Sequence, residues 1–293
     1  MLRRLLTYWL AALLLTGCSG AVEQNARPAV WAVRETGTTI YLTGTVHLLP
    51  DGVNWRNGAI VGAIGDSDEL VTELAPAQLA RVSDVAKRYT YGDAMVQPRE
   101  RFDLDLREDY IALEGNELPL VGTMAALDDW ALALMLARVS ADKAGMRAAN
   151  GMDSALIQEF ADARKPRLGL ETAEDQFSAF DAIPMPEQRV MLNRLMRDIA
   201  AGRADDRLRD TVAAWSQGDM EALAAIIARD AADAPSTHHL LLTERNRKWA
   251  AWIERRLKQP GTVLVAVGAG HLAGPNSLIA LLAARGIRAE RLQ

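Results

Sequence analysis

Cysteine is almost absent from this chain: its 293 residues contain one, Cys18. That excludes an internal disulfide and any metal site built from several thiolates, so an exported form must rely on its hydrophobic core. Aromatic residues are also few, at 5%, which leaves little for stacking on bases. Positive charge is in deficit. The formal charge is −5 and becomes −7 without Arg3 and Arg4. That sign argues against nucleic acid as a partner. Low-complexity tracts and short-period repeats are missing as well. No apolar run reaches the ~20 residues of a membrane-spanning helix.

What is present begins at the N-terminus. Arg3 and Arg4 precede a nearly unbroken apolar run, Leu5 to Leu15, of the ~7–15-residue length of a signal-peptide core. Leu15-Thr16-Gly17-Cys18 follows and resembles the lipobox of bacterial lipoproteins. The expectation is a signal peptide over residues 1–17, lipidation at Cys18 and a tether over 18–29. Ser19 after the cysteine is typical of lipoproteins placed in the outer membrane, so the protein is expected on the periplasmic face of the envelope.

Beyond the tether, Val30–Val33 and Thr39–Leu42 read as strands joined through Gly37, a hairpin signal. Further strands are expected at Leu70–Leu74, Arg167–Leu170, Val263–Val267 and Ile287–Leu292. Helical periodicity covers 57–64, 125–139, 153–163, 187–200, 219–228, 240–257 and 276–284. Strands alternating with helices predict an α/β fold over 30–293. Its sheet is mixed and mostly parallel, with an N-terminal hairpin, flanking helices and a helical middle part at about 176–258.

One internal echo stands out. Gly44-Thr45-Val46-His47-Leu48 and Gly268-Ala269-Gly270-His271-Leu272 each place G-x-x-H and then Leu after a buried strand. Ligands of open α/β sheets bind outside the carboxyl ends of strands. Glu73 sits within a strand and Glu171 ends another, where a buried carboxylate needs a partner or a cation. Imidazoles with carboxylates suit a divalent transition metal such as Zn, Mn or Co, whose bound water becomes a nucleophile near neutral pH. The competing reading is a buried salt bridge from Glu73 or Glu171 to Arg245. Arg245 and Asn246 interrupt the apolar stripe of Leu242, Trp249, Ile253 and Leu257, as a buried network or as part of a site. Arg245 could pair with a carboxylate or hold a substrate anion. Asp153 reads either as a helix N-cap or as a site residue. His238 and His239 read as solvated.

These features together resemble the TraB/GumN family, which includes the Tiki proteins. The matching stretches are Tyr41 to His47, Glu73, Gly151-Met152-Asp153, Lys165-Pro166 and Gly169 to Thr172. Asp175-Gln176, Gly218-Asp219, Arg245-Asn246 and Gly268 to Leu272 complete the pattern. The resemblance implies a fold related to the erythromycin-esterase and ChaN-like group, with a site built from both histidines and the glutamates. Tiki members are metal-dependent peptidases acting on secreted proteins; other members are linked to peptide-pheromone inhibition or polysaccharide production.

The combined expectation is a membrane-tethered, metal-dependent hydrolase, a peptidase first, with a peptide or protein substrate. His47, His271 and Glu171 would be metal ligands, Glu73 a ligand or general base, and Arg245 and Asn246 orienting groups. The alternatives are a non-catalytic lipoprotein that binds a peptide or haem-like ligand, and a structural envelope component.

Overall fold

The computed structural model describes residues 24–92, 96–117 and 124–293. The expected signal peptide, Cys18 and the first part of the expected tether lie outside the described residues.

The described residues begin with β1 (Gln24–Asn25), a short strand that pairs with β4 (Val53–Asn54). Between them β2 (Val30–Glu35) and β3 (Thr38–Thr45) form the expected hairpin. Gly37 turns it at φ +80°, a conformation that glycine adopts without a Cβ penalty. The other strands are β5 (Glu69–Leu74), β6 (Arg167–Glu171), β7 (Gly261–Gly268) and β8 (Ala289–Arg291). The main sheet runs in the order β6-β5-β7-β3-β2-β8. Its first four strands are mutually parallel, and the hairpin partner β2 is antiparallel to β3 and to β8. The fold is α/β with a mixed, mostly parallel sheet.

Period-two alternation divides the strands between two cores. Tyr41, Leu70, Leu264 and Ala266 face one side, under helices Ala59–Asp66 and Met152–Asp162. Ile40, Leu42, Val71, Val263, Val265 and Val267 face the other, against Trp249, Ile253, Leu278 and Leu282. Burial on both faces explains why β7 is apolar at consecutive positions.

Helices on either side of β6 pack together. A third core joins Phe102, Leu106, Tyr110, Leu132 and Leu136 to Leu192 and Met196. The helices Asp129–Lys143, before β6, and Met185–Ala200, after it, therefore share one apolar seam. The stretch expected as a helix over 240–257 differs. It is an α-helix only over Glu244–Arg256, preceded by a π-turn, His239–Thr243. The π-turn adds a residue to the helical circuit. Trp249, Ile253 and Leu257 thus keep the core stripe, whereas Leu242 falls out of it and lies near Gly270.

A candidate active site at the carboxyl ends of four parallel strands

His47, Glu73, Glu171 and His271 follow or end β3, β5, β6 and β7, four adjacent parallel strands. The register pairs Thr45 with Gly268 and Leu74 with Glu171, so all four emerge along one edge. The glycines of the two motifs act by permitting close approach. A Cβ on Gly44 would lie 2.9 Å from Ala269 Cα, and one on Gly268 would lie 3.2 Å from Glu73 Oε1. Neither has a positive φ, so it is the missing Cβ and not a left-handed backbone that these positions require.

Arg245 sits at the centre. Its Nη2 donates to Glu73 Oε2 at 2.6 Å and to Glu171 Oε1 at 2.6 Å. Its Nε donates to Glu171 Oε2 at 3.0 Å. Its Nη1 reaches the Leu241 carbonyl at 3.0 Å and His271 Nε2 at 3.2 Å. A guanidinium has five N–H donors, and here five acceptors surround it. The salt-bridge reading of the glutamates is the geometry observed, and no N–H is left over for a substrate anion. The guanidinium also lies over the Trp249 ring, 4.8 Å from its centroid.

His271, 5% exposed, is fixed on its other nitrogen by Asn246. Asn246 Nδ2 donates to the carbonyls of Asn276 (2.9 Å) and His271 (3.3 Å), which leaves Oδ1 to accept from His271 Nδ1 at 2.7 Å. The Nε2 lone pair therefore faces Arg245. Burial drives the His271 pKa down to about 3, and the nearby Arg245 and His47 charges add to that. The ring is neutral, packed on Trp249 with centroids 4.3 Å apart. Glu73 accepts from the Gly268 N–H at 2.8 Å and from Gln176 Nε2 at 3.3 Å, besides Arg245. Burial opposes its charge, yet the surrounding imidazoles, Arg245 and the Gly268 N–H bring its pKa down to about 2. With His271 neutral, Arg245 is the partner that keeps Glu73 ionised. Burial shifts Glu171 the other way, upward, against the pull of Arg245.

His47 differs from all of these. Its side chain is 68% exposed. Its Nδ1 lies 2.8 Å from Asp153 Oδ2, and Asp153 Oδ1 accepts from Thr45 Oγ1 at 2.6 Å. The Asp153 hydrogen bond raises the imidazole pKa to about 9, with Glu73 contributing and burial opposing. His47 Nε2 has no partner among the described residues. Asp153 is not an N-cap: Gly151 caps the helix Met152–Asp162, and Asp153 lies in its first turn without a capping bond. A Cβ on Gly151 would come 2.3 Å from the His47 carbonyl, and the Met152 N–H bonds the Val46 carbonyl at 3.1 Å. That docking carries Asp153 to His47.

Of the two readings of Asp153 the structure shows the one within the site, whereas Thr45, Gln176 and Trp249 have no site role in the sequence reading, although Thr45 and Gln176 fall within the matching stretches. His239 bonds Glu244 at 3.1 Å and is half-exposed, while His238 lines a separate groove. A cavity of ≈ 290 Å³ opens beside Glu171 and Arg245, bordered by Asp175, Lys248 and Trp249.

The three expected metal ligands do not fit a divalent ion as they are arranged. Glu171 bonds Arg245 through both oxygens, the His271 Nε2 lone pair faces the same guanidinium, and His47 Nδ1 is held by Asp153. Among the described residues, no group of three or more His, Cys, Asp or Glu side chains is disposed to hold a metal.

A sequence model of the TraB/PrgY/gumN family matches residues 29–291. The chain belongs to the TraB/PrgY/gumN family. Among similar proteins, "Uncharacterized protein YbaP" of Escherichia coli (strain K12) is 29% identical over 158 residues, covering 52% of this chain and 55% of the relative. The Shigella flexneri protein of the same name gives the same figures. The chain spans about half the length of these two relatives. An "Uncharacterized protein" of Treponema pallidum (strain Nichols) is 21% identical over 291 residues, covering 92% of this chain and 86% of the relative. No solved structure matches the chain.

Proposed function

We propose that the protein is a hydrolase of the cell envelope, acting on peptide bonds, in which His47 carries out the proton transfer. The observation behind this reading is the contrast within one cluster. Arg245, Glu73, Glu171, His271 and Asn246 are engaged with one another, while His47 offers a free Nε2 and is clamped through Nδ1 by Asp153. An imidazole oriented by a carboxylate is the arrangement a general base requires, and such a base contributes ~10²–10⁴-fold in rate. With its pKa raised to about 9, His47 would act in its neutral form, whose share grows as pH rises toward that value, taking a proton from the attacking water and returning it to the leaving amine. Arg245 and its partners would form the rigid wall against which the peptide lies. Lipidation of Cys18 would hold the enzyme at the periplasmic face of the outer membrane.

The test uses the purified chain and a defined peptide mixture, with new termini read by mass spectrometry. Cleavage that falls by two or more orders of magnitude in His47→Ala is expected. No cleavage by the wild type, or full cleavage by the variant, sinks the reading.

A second reading is favoured by one feature, an apolar groove of ≈ 440 Å³ in the helical part, lined by Leu134, Val190, Met191, Ile227, Leu241 and Leu242. The protein would then bind a peptide without cutting it, and His47→Ala would bind as well as the wild type.

A further inference from the structure

We propose that the resident cation of this site is the Arg245 guanidinium, standing where a divalent metal would have to stand, and that Glu73, Glu171 and His271 become a divalent-cation site only when Arg245 is removed. The proposal rests on the partnering of these atoms and is independent of whether His47 turns over any substrate.

The two carboxylates meet on one nitrogen. Glu73 Oε2 and Glu171 Oε1 both lie 2.6 Å from Arg245 Nη2, so they are no farther apart than twice that distance. His271 Nε2 lies 3.2 Å from Nη1 of the same group. An ion in the place of the guanidinium would face two carboxylate oxygens and one imidazole nitrogen. The carboxylates now bond Nη2 and the imidazole Nη1, so once the guanidinium is gone the three must converge on one point to reach the ~2.0–2.2 Å of metal–oxygen and metal–nitrogen bonds. Carboxylate oxygens and neutral imidazole nitrogens are both ligands of divalent transition metals. The site thus has the donor types a metal needs, but they are arranged around a permanent cation and not around a metal.

The choice of cation follows from the acceptors. Five surround the group: two oxygens of Glu171, one of Glu73, the Leu241 carbonyl and His271 Nε2. Only a guanidinium presents five N–H groups in a planar fork; an ammonium has three. Arginine cannot be deprotonated in a protein, so this cation is not lost to chelators or to acid, as a metal is when its ligands protonate. The two G-x-x-H motifs then have separate tasks. The second anchors the guanidinium through His271, and the first holds His47 against Asp153.

The experiment measures metal content by elemental analysis, and melting temperature with a chelator or with added Mn, Zn or Co chloride. It uses the full chain as wild type, Arg245→Ala and the double variant Arg245→Ala/Glu73→Gln. The wild type is expected to carry no stoichiometric metal and to melt at the same temperature in every condition. Arg245→Ala is expected to bind one ion about 100-fold more tightly than the wild type and to gain melting temperature saturably, or to fold only when metal is added. The double variant should lose that gain. Because Arg245→Ala removes a central partner, the wild-type arm is decisive by itself. One tightly held ion per wild-type chain, whose removal lowers the melting temperature and whose binding is lost in Glu73→Gln, overturns the proposal. So does an Arg245→Ala chain that neither binds an ion nor is stabilised by one.

Discussion

Asp153 shows how a single side chain can be hidden behind a simpler explanation. Its place in Gly151-Met152-Asp153-Ser154 fits a helix start, and local sequence cannot report that its carboxylate is aimed at a histidine 106 positions earlier. Replacing it by Asn removes the charge that raises His47, so the imidazole pKa should fall from about 9 toward its ordinary 6.5. If His47 is a base, the rising limb of the pH–rate profile should then move to lower pH, while the plateau drops as the ring loses its orientation. A profile unmoved by Asp153→Asn would take His47 out of the proton-transfer step. Asn246, 1% exposed, makes a different prediction. In Asn246→Leu, two carbonyls and the His271 Nδ1–H each lose a partner, at ~1–3 kcal/mol for each group left unsatisfied. Denaturant unfolding should show a loss of that order. A stabilised variant would contradict the assigned network.

Among the elements, the β2–β3 hairpin, the parallel strands and the two strand-to-histidine junctions were legible because alternation and glycine placement are local signals. The π-turn at His239–Thr243 was not, since an additional residue in a helix leaves no compositional mark. The seam between the helices Asp129–Lys143 and Met185–Ala200 was missed because it pairs segments on either side of β6. The pairing of Glu73 and Glu171 with Arg245 was in view as the competing reading of the glutamates, but only three-dimensional placement gives Arg245 five acceptors and sets it among the expected metal ligands. Gly44 tests the element scale directly. In Gly44→Ala, the new methyl meets the Ala269 backbone at 2.9 Å, and neither strand end can yield cheaply. A destabilisation of ~1–3 kcal/mol is expected from such overpacking, and it should displace the loop that carries His271. Measured stability equal to wild type would mean the two strand ends are looser than this contact requires.

Over the whole molecule, the buried site ties stability to pH. The His271 pKa falls from 6.5 to about 3 and that of Glu73 from 4.5 to about 2. Both shifts are downward, so the stability they contribute is complete above the unfolded values and is lost as pH falls through the folded ones. Unfolding free energy should therefore decline from about pH 6.5 downward, and His271→Gln should flatten the upper part of that decline. A wild type equally stable at pH 4 and pH 6.5 would contradict the buried neutral imidazole. Attachment is tested separately: Cys18→Ala should abolish labelling by a radioactive fatty acid, and unchanged labelling would remove the lipoprotein expectation.

The strand order carries a consequence for how the molecule comes into being. β7 lies between β5 and β3, yet almost the entire sequence precedes it. Until residues 261–268 exist, the N-terminal hairpin and the β5–β6 pair have no strand to join them, and His271 has not been made. A chain halted at residue 256 should consequently behave as two unjoined halves, susceptible to protease throughout. Pairings this distant along the chain fold slowly, so assembly should be late and concerted rather than progressive. β7 is thus the penultimate strand to be made, followed only by the short β8, and it is the one that joins the two halves of the sheet.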